Sequence, residues 1–188
     1  MNIKKIIGVP AAIMFLSGIV FMQAQSKPNL VQGKSYLIQL DCARKLNRAV
    51  YQTVTQWCKD ISFVRSSGKN VDEYVKYISK LSTSSWDVTK KFGIRGFVAG
   101  LYANGQLYEN YLFEVLEESD DLIKVRANRP YALYFEDNLT LFGVKIDEYE
   151  RCRRIFNQEI AAYLGYSYSE KIEAGWNIIT VTHTSEKK

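Results

Sequence analysis

Residues 147–184, DEYERCRRIFNQEIAAYLGYSYSEKIEAGWNIITVTHT, change period halfway along. In the first half Cys152, Ile155, Phe156, Ile160, Tyr163 and Leu164 recur at three- and four-residue spacing, the apolar stripe of an amphipathic helix. Asp147, with Glu150 three residues on, reads as a capping box at its start, and Gly165 as its C-terminal stop. Beyond Gly165 the period becomes two. Residues 166–173 and 176–184 read as strands, and Ala174-Gly175 between them is a two-residue hairpin signal.

The segment upstream repeats the strand pattern. Tyr111, Phe113 and Val115 alternate with Leu112 and Glu114, residues 122–127 (LIKVRA) alternate again, and the acidic run 117–121 supplies the turn. Residues 109–128 therefore form a first hairpin. Adjacent carboxylates in such a turn splay apart, so the run is a solvated turn rather than a metal site. Arg129-Pro130 ends the strand, and the aromatic-rich stretch 131–142 reads as a short helix or irregular cover. It holds the formal glycosylation sequon Asn138-Leu139-Thr140, on which nothing is built.

The N-terminal half is helical. From Tyr36 to about Val64 the residues Leu37, Leu40, Ala43, Leu46, Val50, Val54, Trp57 and Ile61 keep helical spacing, and Ser66-Ser67-Gly68 stops the run. A second helix spans about 71–92, with Tyr74, Tyr77, Leu81, Trp86 and Phe92 as its apolar side, and the cluster 82–85 (STSS) divides it, since these side chains compete for backbone hydrogen bonds. Gly93, Gly96 and Gly100 follow at spacings of three and four. That suits a helix approached closely by another backbone and does not match a phosphate-cradling G-x-G-x-x-G. The fold class is α+β: N-terminal helices packed on an antiparallel sheet of two hairpins, with a long C-terminal helix between them in sequence. Composition agrees, at 47% hydrophobic, 13% aromatic and 24% charged over 188 residues, which excludes disorder, collagen and a coiled-coil rod.

Residues 1–24 read as a signal peptide: basic Lys4 and Lys5, an apolar stretch from Ile6 to Met22, then Gln23-Ala24-Gln25 with cleavage after Ala24. Pro10 inside a marginal span argues against a membrane anchor, the other reading. The expected product is exported, periplasmic or secreted, with an extended lead-in over 25–35 and one domain over 36–184. Cleavage removes two lysines and no acid, so the formal charge falls from +5 to +3. The remaining basic residues are mixed with acids, so no nucleic-acid partner is expected, nor a membrane once the signal is gone. Oligomeric state is left open.

One histidine and three cysteines leave no metal site and no cofactor in expectation. Cys42 and Cys58 lie in one helix, roughly 24 Å apart along it, too far to bridge. All three cysteines read as small buried apolar residues, with a Cys152 disulfide to either of the others as the alternative. Three further features could carry chemistry. Cys152 and Glu159 share a helix face two turns apart, and Arg153-Arg154 beside the thiol would favour thiolate. His183 shares a strand face with Ile179 and Val181, in a core-facing pocket or at a frayed end. Tyr102, Tyr108, Tyr111, Tyr131 and Tyr134 crowd together, which suits a small-molecule pocket or a mixed core.

Residues 112–135 (LFEVLEESDDLIKVRANRPYALYF) together with 147–184 resemble the L-2-amino-thiazoline-4-carboxylate hydrolase-like family and the related 4-vinyl-reductase-type domains. The shared features are a hairpin, a Pro-aromatic pair (Pro130-Tyr131), a helix with Cys152 near its start, the Leu164-Gly165-Tyr166 exit and a closing hairpin with a glycine turn. Arg129 and Ile178 or Ile179 stand where the family's pattern places cysteines. The resemblance implies an α+β domain with a pocket between sheet and helices. Two functions follow. In the first, an exported hydrolase opens a small cyclic amide-like or thiazoline carboxylate, with Cys152 as nucleophile, Arg129 as carboxylate clamp, and Tyr131 and Glu159 positioning substrate or moving protons. In the second, a non-catalytic module holds a small ligand in a tyrosine-lined pocket, with Tyr131, Tyr134 and His183 among the contacts.

Overall fold

The computed structural model describes residues 41–135 and 140–184. The proposed signal segment, the lead-in and Asn138 of the sequon lie outside them. Helix α1 (Cys42–Ser66) starts at Asp41, whose side chain accepts a hydrogen bond from the Arg44 amide at 2.8 Å. Helix α2 (Val71–Ser82) is capped by Asn70 in the same way and carries Asp72 and Glu73 in its first turn, where carboxylates complement the helix dipole. The serine–threonine cluster does divide the second helical segment. Ser82, Thr83 and Ser85 turn their hydroxyls onto backbone carbonyls three or four residues back, and a 3₁₀ turn, Thr83–Trp86, separates α2 from the short α3 (Asp87–Lys90).

The apolar side expected for that segment is partly out of phase: Trp86 is buried and Tyr74 packs against the core as expected, but the rest is not. Tyr77, Leu81, Val88 and Phe92 are exposed, while Val71, Val75 and Ser79 face inward with Trp86. A buried serine on the core side hid the true stripe; Ser79 is accommodated because its hydroxyl bonds the Lys76 carbonyl at 2.8 Å.

In α4 (Gly93–Gly105) two of the three spaced glycines are points of close approach. A β-carbon on Gly96 would meet the Thr89 carbonyl oxygen at 2.2 Å, and one on Gly100 the Trp86 ring at 2.5 Å. Gly93 has no such neighbour and instead takes φ +62° at the helix entry.

Strands β1 (Phe113–Glu118) and β2 (Leu122–Ala127) form the first hairpin. A 3₁₀ turn (Pro130–Phe135) and a two-residue pair, β3 (Thr140–Leu141) with β4 (Val144–Lys145), lead into α5 (Ile146–Tyr163). Strands β5 (Tyr166–Glu173) and β6 (Trp176–His183) close the chain through Ala174 and Gly175, at φ 48° and 83°, the paired left-handed residues of a two-residue hairpin. β6 pairs with β2, which fuses the hairpins into one antiparallel sheet of order β1-β2-β6-β5. One sheet face carries Ile123, Val125, Ala127, Asn177, Ile179, Val181 and Tyr168, all buried beneath α4 and α5. Helices α1 and α2 pack outside α5, and Trp57 of α1 meets Phe156 and Tyr149 of α5 edge-on at 5.6 and 6.3 Å.

Two local expectations are corrected. Glu150 does not reach back to cap α5: it is 6% exposed and turns into the interior, the N-cap residue is Lys145, and Asp147 Oδ1 accepts from the Glu148 amide at 2.9 Å within the first turn. Cys42 is exposed at the start of α1, whereas Cys58 and Cys152 are buried and free.

Candidate functional site

A cavity of about 340 Å³ opens between α1, the end of α4, the 105–111 loop, α5 and the buried sheet face. That volume is within the range of small-molecule sites. Its walls are aromatic. Tyr131 is central, with Tyr149 at 5.4 Å and Tyr108 at 6.4 Å between ring centres, and Trp57 and Phe156 continue the surface. Leu46 and Val50 of α1, Leu101 of α4 and Tyr111 complete much of the apolar lining. Gly105 is part of the wall because a β-carbon there would strike the Tyr111 ring at 2.1 Å.

A polar chain runs behind and into this cavity. Arg129 Nε donates to Glu150 Oε1 at 2.6 Å, and its Nη2 pairs with the same oxygen. The Tyr131 hydroxyl donates to Glu150 Oε1 at 3.1 Å and accepts from Asn177 Nδ2 at 3.2 Å. This order fixes the amide of Asn177. Tyr131 has one proton and gives it to the carboxylate, so Asn177 turns its NH₂ to Tyr131 and its Oδ1 away. Asn177 is 2% exposed, and Oδ1 has no hydrogen-bond partner among the described residues.

Arg153 is the cation of the cavity wall. Its guanidinium lies over the Tyr131 ring, 4.3 Å from the centre, and Nη1 is enclosed with no hydrogen-bond partner among the described residues. Burial opposes its charge, but the oxygens of Tyr131 and Glu170 more than offset that, and its pKa lies well above the ordinary value. Burial drives the tyrosines the other way from ionisation: it pushes Tyr131 and Tyr108 up despite Arg153, holds Tyr149 well above its ordinary range, and takes Tyr111 to about 12. At neutral pH the cavity therefore presents neutral phenols and one guanidinium.

Of the six residues proposed from sequence, Tyr131 lines the cavity and the other five do not. Cys152 is fully buried on the opposite side of α5 from solvent, next to Cys58, and burial pushes its thiol up to about 12. At pH 7 that leaves on the order of one thiol in 10⁵ ionised. Glu159 is partly buried outside the cavity. Arg129 is held by Glu150, so its guanidinium is already clamped. Tyr134 packs edge-on against Tyr51 at 5.3 Å. His183 is exposed at the end of β6, its ring 5.2 Å from that of Tyr166.

The sequence reading missed Arg153, Asn177, Tyr149 and Trp57 as site residues. A signal existed for the first: Tyr149, Phe156 and Asn157 lie four, three and four residues from Arg153, which puts the arginine on one helix face with two aromatic side chains. Among the described residues no group of three or more His, Cys, Asp or Glu side chains could hold a metal ion, and no helix is long and apolar enough to cross a membrane. No protein-family model, curated protein or solved structure matches the chain.

Proposed function

We propose that this chain is an exported module that binds a small, largely apolar or aromatic molecule in the cavity between α1, α5 and the sheet. The aromatic cavity itself carries the reading: about 340 Å³ lined by Tyr131, Tyr149, Tyr108, Trp57 and Phe156, with few polar atoms converging on it. Export rests on Lys4, Lys5 and the apolar stretch that follows. The hydrolase alternative needs a thiolate in contact with the ligand, and the placement of Cys152 away from the cavity, with its thiol at about 12, favours binding over turnover.

Native mass spectrometry of the protein purified from its own host tests both parts. The expected species has lost residues 1–24 and retains a small organic molecule that denaturation releases. A full-length mass overturns the cleaved signal peptide. A ligand-free protein in which Ala49→Trp, a substitution filling the cavity wall, changes no binding to any small aromatic compound overturns the binding reading.

A further inference from the structure

Each cation at the cavity already has an acid of this chain to balance it. Among the described residues Arg153 is the one charged side chain in the lining. Its guanidinium lies over the Tyr131 ring, its Nη1 is enclosed, and the Glu170 carboxylate supports its charge. Arg129, the carboxylate clamp of the ring-opening alternative, lies outside the lining and is closed onto Glu150. With both cations matched, a ligand's charge finds nothing to cancel.

Most neutral polar groups of the wall are committed within the protein as well. Asn128 accepts from the Leu112 amide at 2.9 Å and donates to the Asn110 carbonyl at 2.6 Å. The Thr53 hydroxyl donates to the Ala49 carbonyl at 3.0 Å, and Asn157 Nδ2 to the Tyr168 hydroxyl at 3.3 Å. Tyr108 and Tyr111, whose ionisation burial opposes, stay neutral in the lining beside Asn104. Leu46 and Leu107 line the cavity and are also exposed, so its entrance is apolar too. A carboxylate or an ammonium entering here loses water and meets no counter-charge, whereas a neutral apolar molecule gives up only unfavourable hydration.

Resting on the binding function proposed above, we infer that the cavity selects by charge: it takes an uncharged, largely apolar alcohol, ester or hydrocarbon and turns away the carboxylate and the amine of the same skeleton. The carboxylate-bearing ring suggested by the sequence is then not its ligand.

The test is calorimetric titration of the purified protein at pH 7 with one skeleton, 2-naphthyl, carrying four head groups: naphthylethanol, methyl naphthylacetate, naphthylacetate and naphthylethylamine. The first two are neutral, the third is an anion and the fourth a cation. The neutral pair should bind about 10- to 100-fold more tightly than either ion, as burying a charged head group without a partner warrants. Ala49→Trp should weaken both neutral compounds by at least about tenfold, since it fills the space they occupy. An acid or an amine that binds as tightly as the alcohol overturns the inference while leaving the cavity as a binding site. Neutral compounds whose affinity survives Ala49→Trp are bound elsewhere; that result, or absence of binding by all four compounds at millimolar concentration, removes the binding function and this inference with it.

Discussion

Replacing Glu150 by alanine should be among the most damaging single changes to this fold. The Glu150 side chain is 8% exposed and that of Arg129 is 19% exposed. One carboxylate oxygen takes hydrogen bonds from Arg129 and from Tyr131, so the substitution leaves a largely buried guanidinium and a buried phenol without their acceptor. Breaking a buried pair from one side costs about 3–5 kcal/mol. The residual exposure of Arg129 lets it turn partly to water, which places the expected loss at the low end, about 3 kcal/mol. Glu150→Gln keeps an acceptor of the same shape and should cost about 1–1.5 kcal/mol. Glu148→Ala is the control. It removes the partner of Arg65, a side chain 45% exposed, and should cost at most about 1 kcal/mol. Urea denaturation at pH 7, followed by far-UV circular dichroism, gives each value from the midpoint and slope. A Glu150→Ala protein within about 0.5 kcal/mol of the parent, or one no worse than Glu148→Ala, refutes the assignment of this pair as a buried tie between α5 and the 129–131 segment.

Three other outcomes are expected. Gly96→Ala should destabilise by about 2–3 kcal/mol in the same denaturation assay, because its β-carbon would lie 2.2 Å from the Thr89 carbonyl oxygen, a backbone atom that has no rotamer to escape into; a cost below about 0.5 kcal/mol shows the approach is not close. Cys152→Ala should change affinity for any cavity ligand by less than about twofold while lowering stability by about 1–2 kcal/mol, and a tenfold loss of binding in calorimetry restores the thiol to the site. Alkaline pH should loosen the fold through the buried thiols. Cys58 and Cys152 rise from an ordinary 9.0 to about 12 in the folded state, so the unfolded chain releases these protons first; stability is fully present below pH 9 and falls between pH 9 and about 12, by up to about 1.4 kcal/mol per pH unit for each thiol. Urea midpoints at pH 8, 9 and 10 should drop more steeply for the parent than for Cys58→Ala/Cys152→Ala, and parallel lines contradict the shift.

The elements that sequence reasoning placed well are those whose signal is local. The Ala174-Gly175 turn, the alternation of 122–127 and the stripe of α5 each follow from residues within a few positions of one another. The failures came where a distant partner decides. Glu150 has capping-box spacing from Asp147, but the choice between a backbone amide and the Arg129–Tyr131 pair is made by residues some twenty positions away. Ser79 reads as a surface residue until its hydroxyl is seen on the Lys76 carbonyl. The site suffered most. In the run Arg151, Arg153, Arg154 the three arginines look alike, yet Arg151 reaches Asp72 at the surface while Arg153 turns onto Tyr131. Asn177 sits opposite Ala127 and Ile172 in the sheet; the strand's alternation puts it on the face of Ile179 and Val181, but its partner Tyr131 lies forty-six positions away and cannot be read from the strand.

That register also joins stability to recognition. Each link in the chain Arg129–Glu150–Tyr131–Asn177 fixes the next: the ion pair places the carboxylate, the carboxylate accepts a hydrogen bond from the Tyr131 hydroxyl, and the phenol oxygen, free to accept, orients the amide. Neutral phenols are essential to this order, and burial, by pushing Tyr131 up, keeps the proton where the chain needs it. The same bonds that tie α5 to the sheet therefore determine which atom of Asn177 meets Tyr131. Tyr131, a wall of the cavity, is thereby held before anything enters, and its ordering is met by folding. A cavity built from apolar side chains alone would have area without direction. Here direction comes from an ion pair outside the cavity wall, acting through one tyrosine.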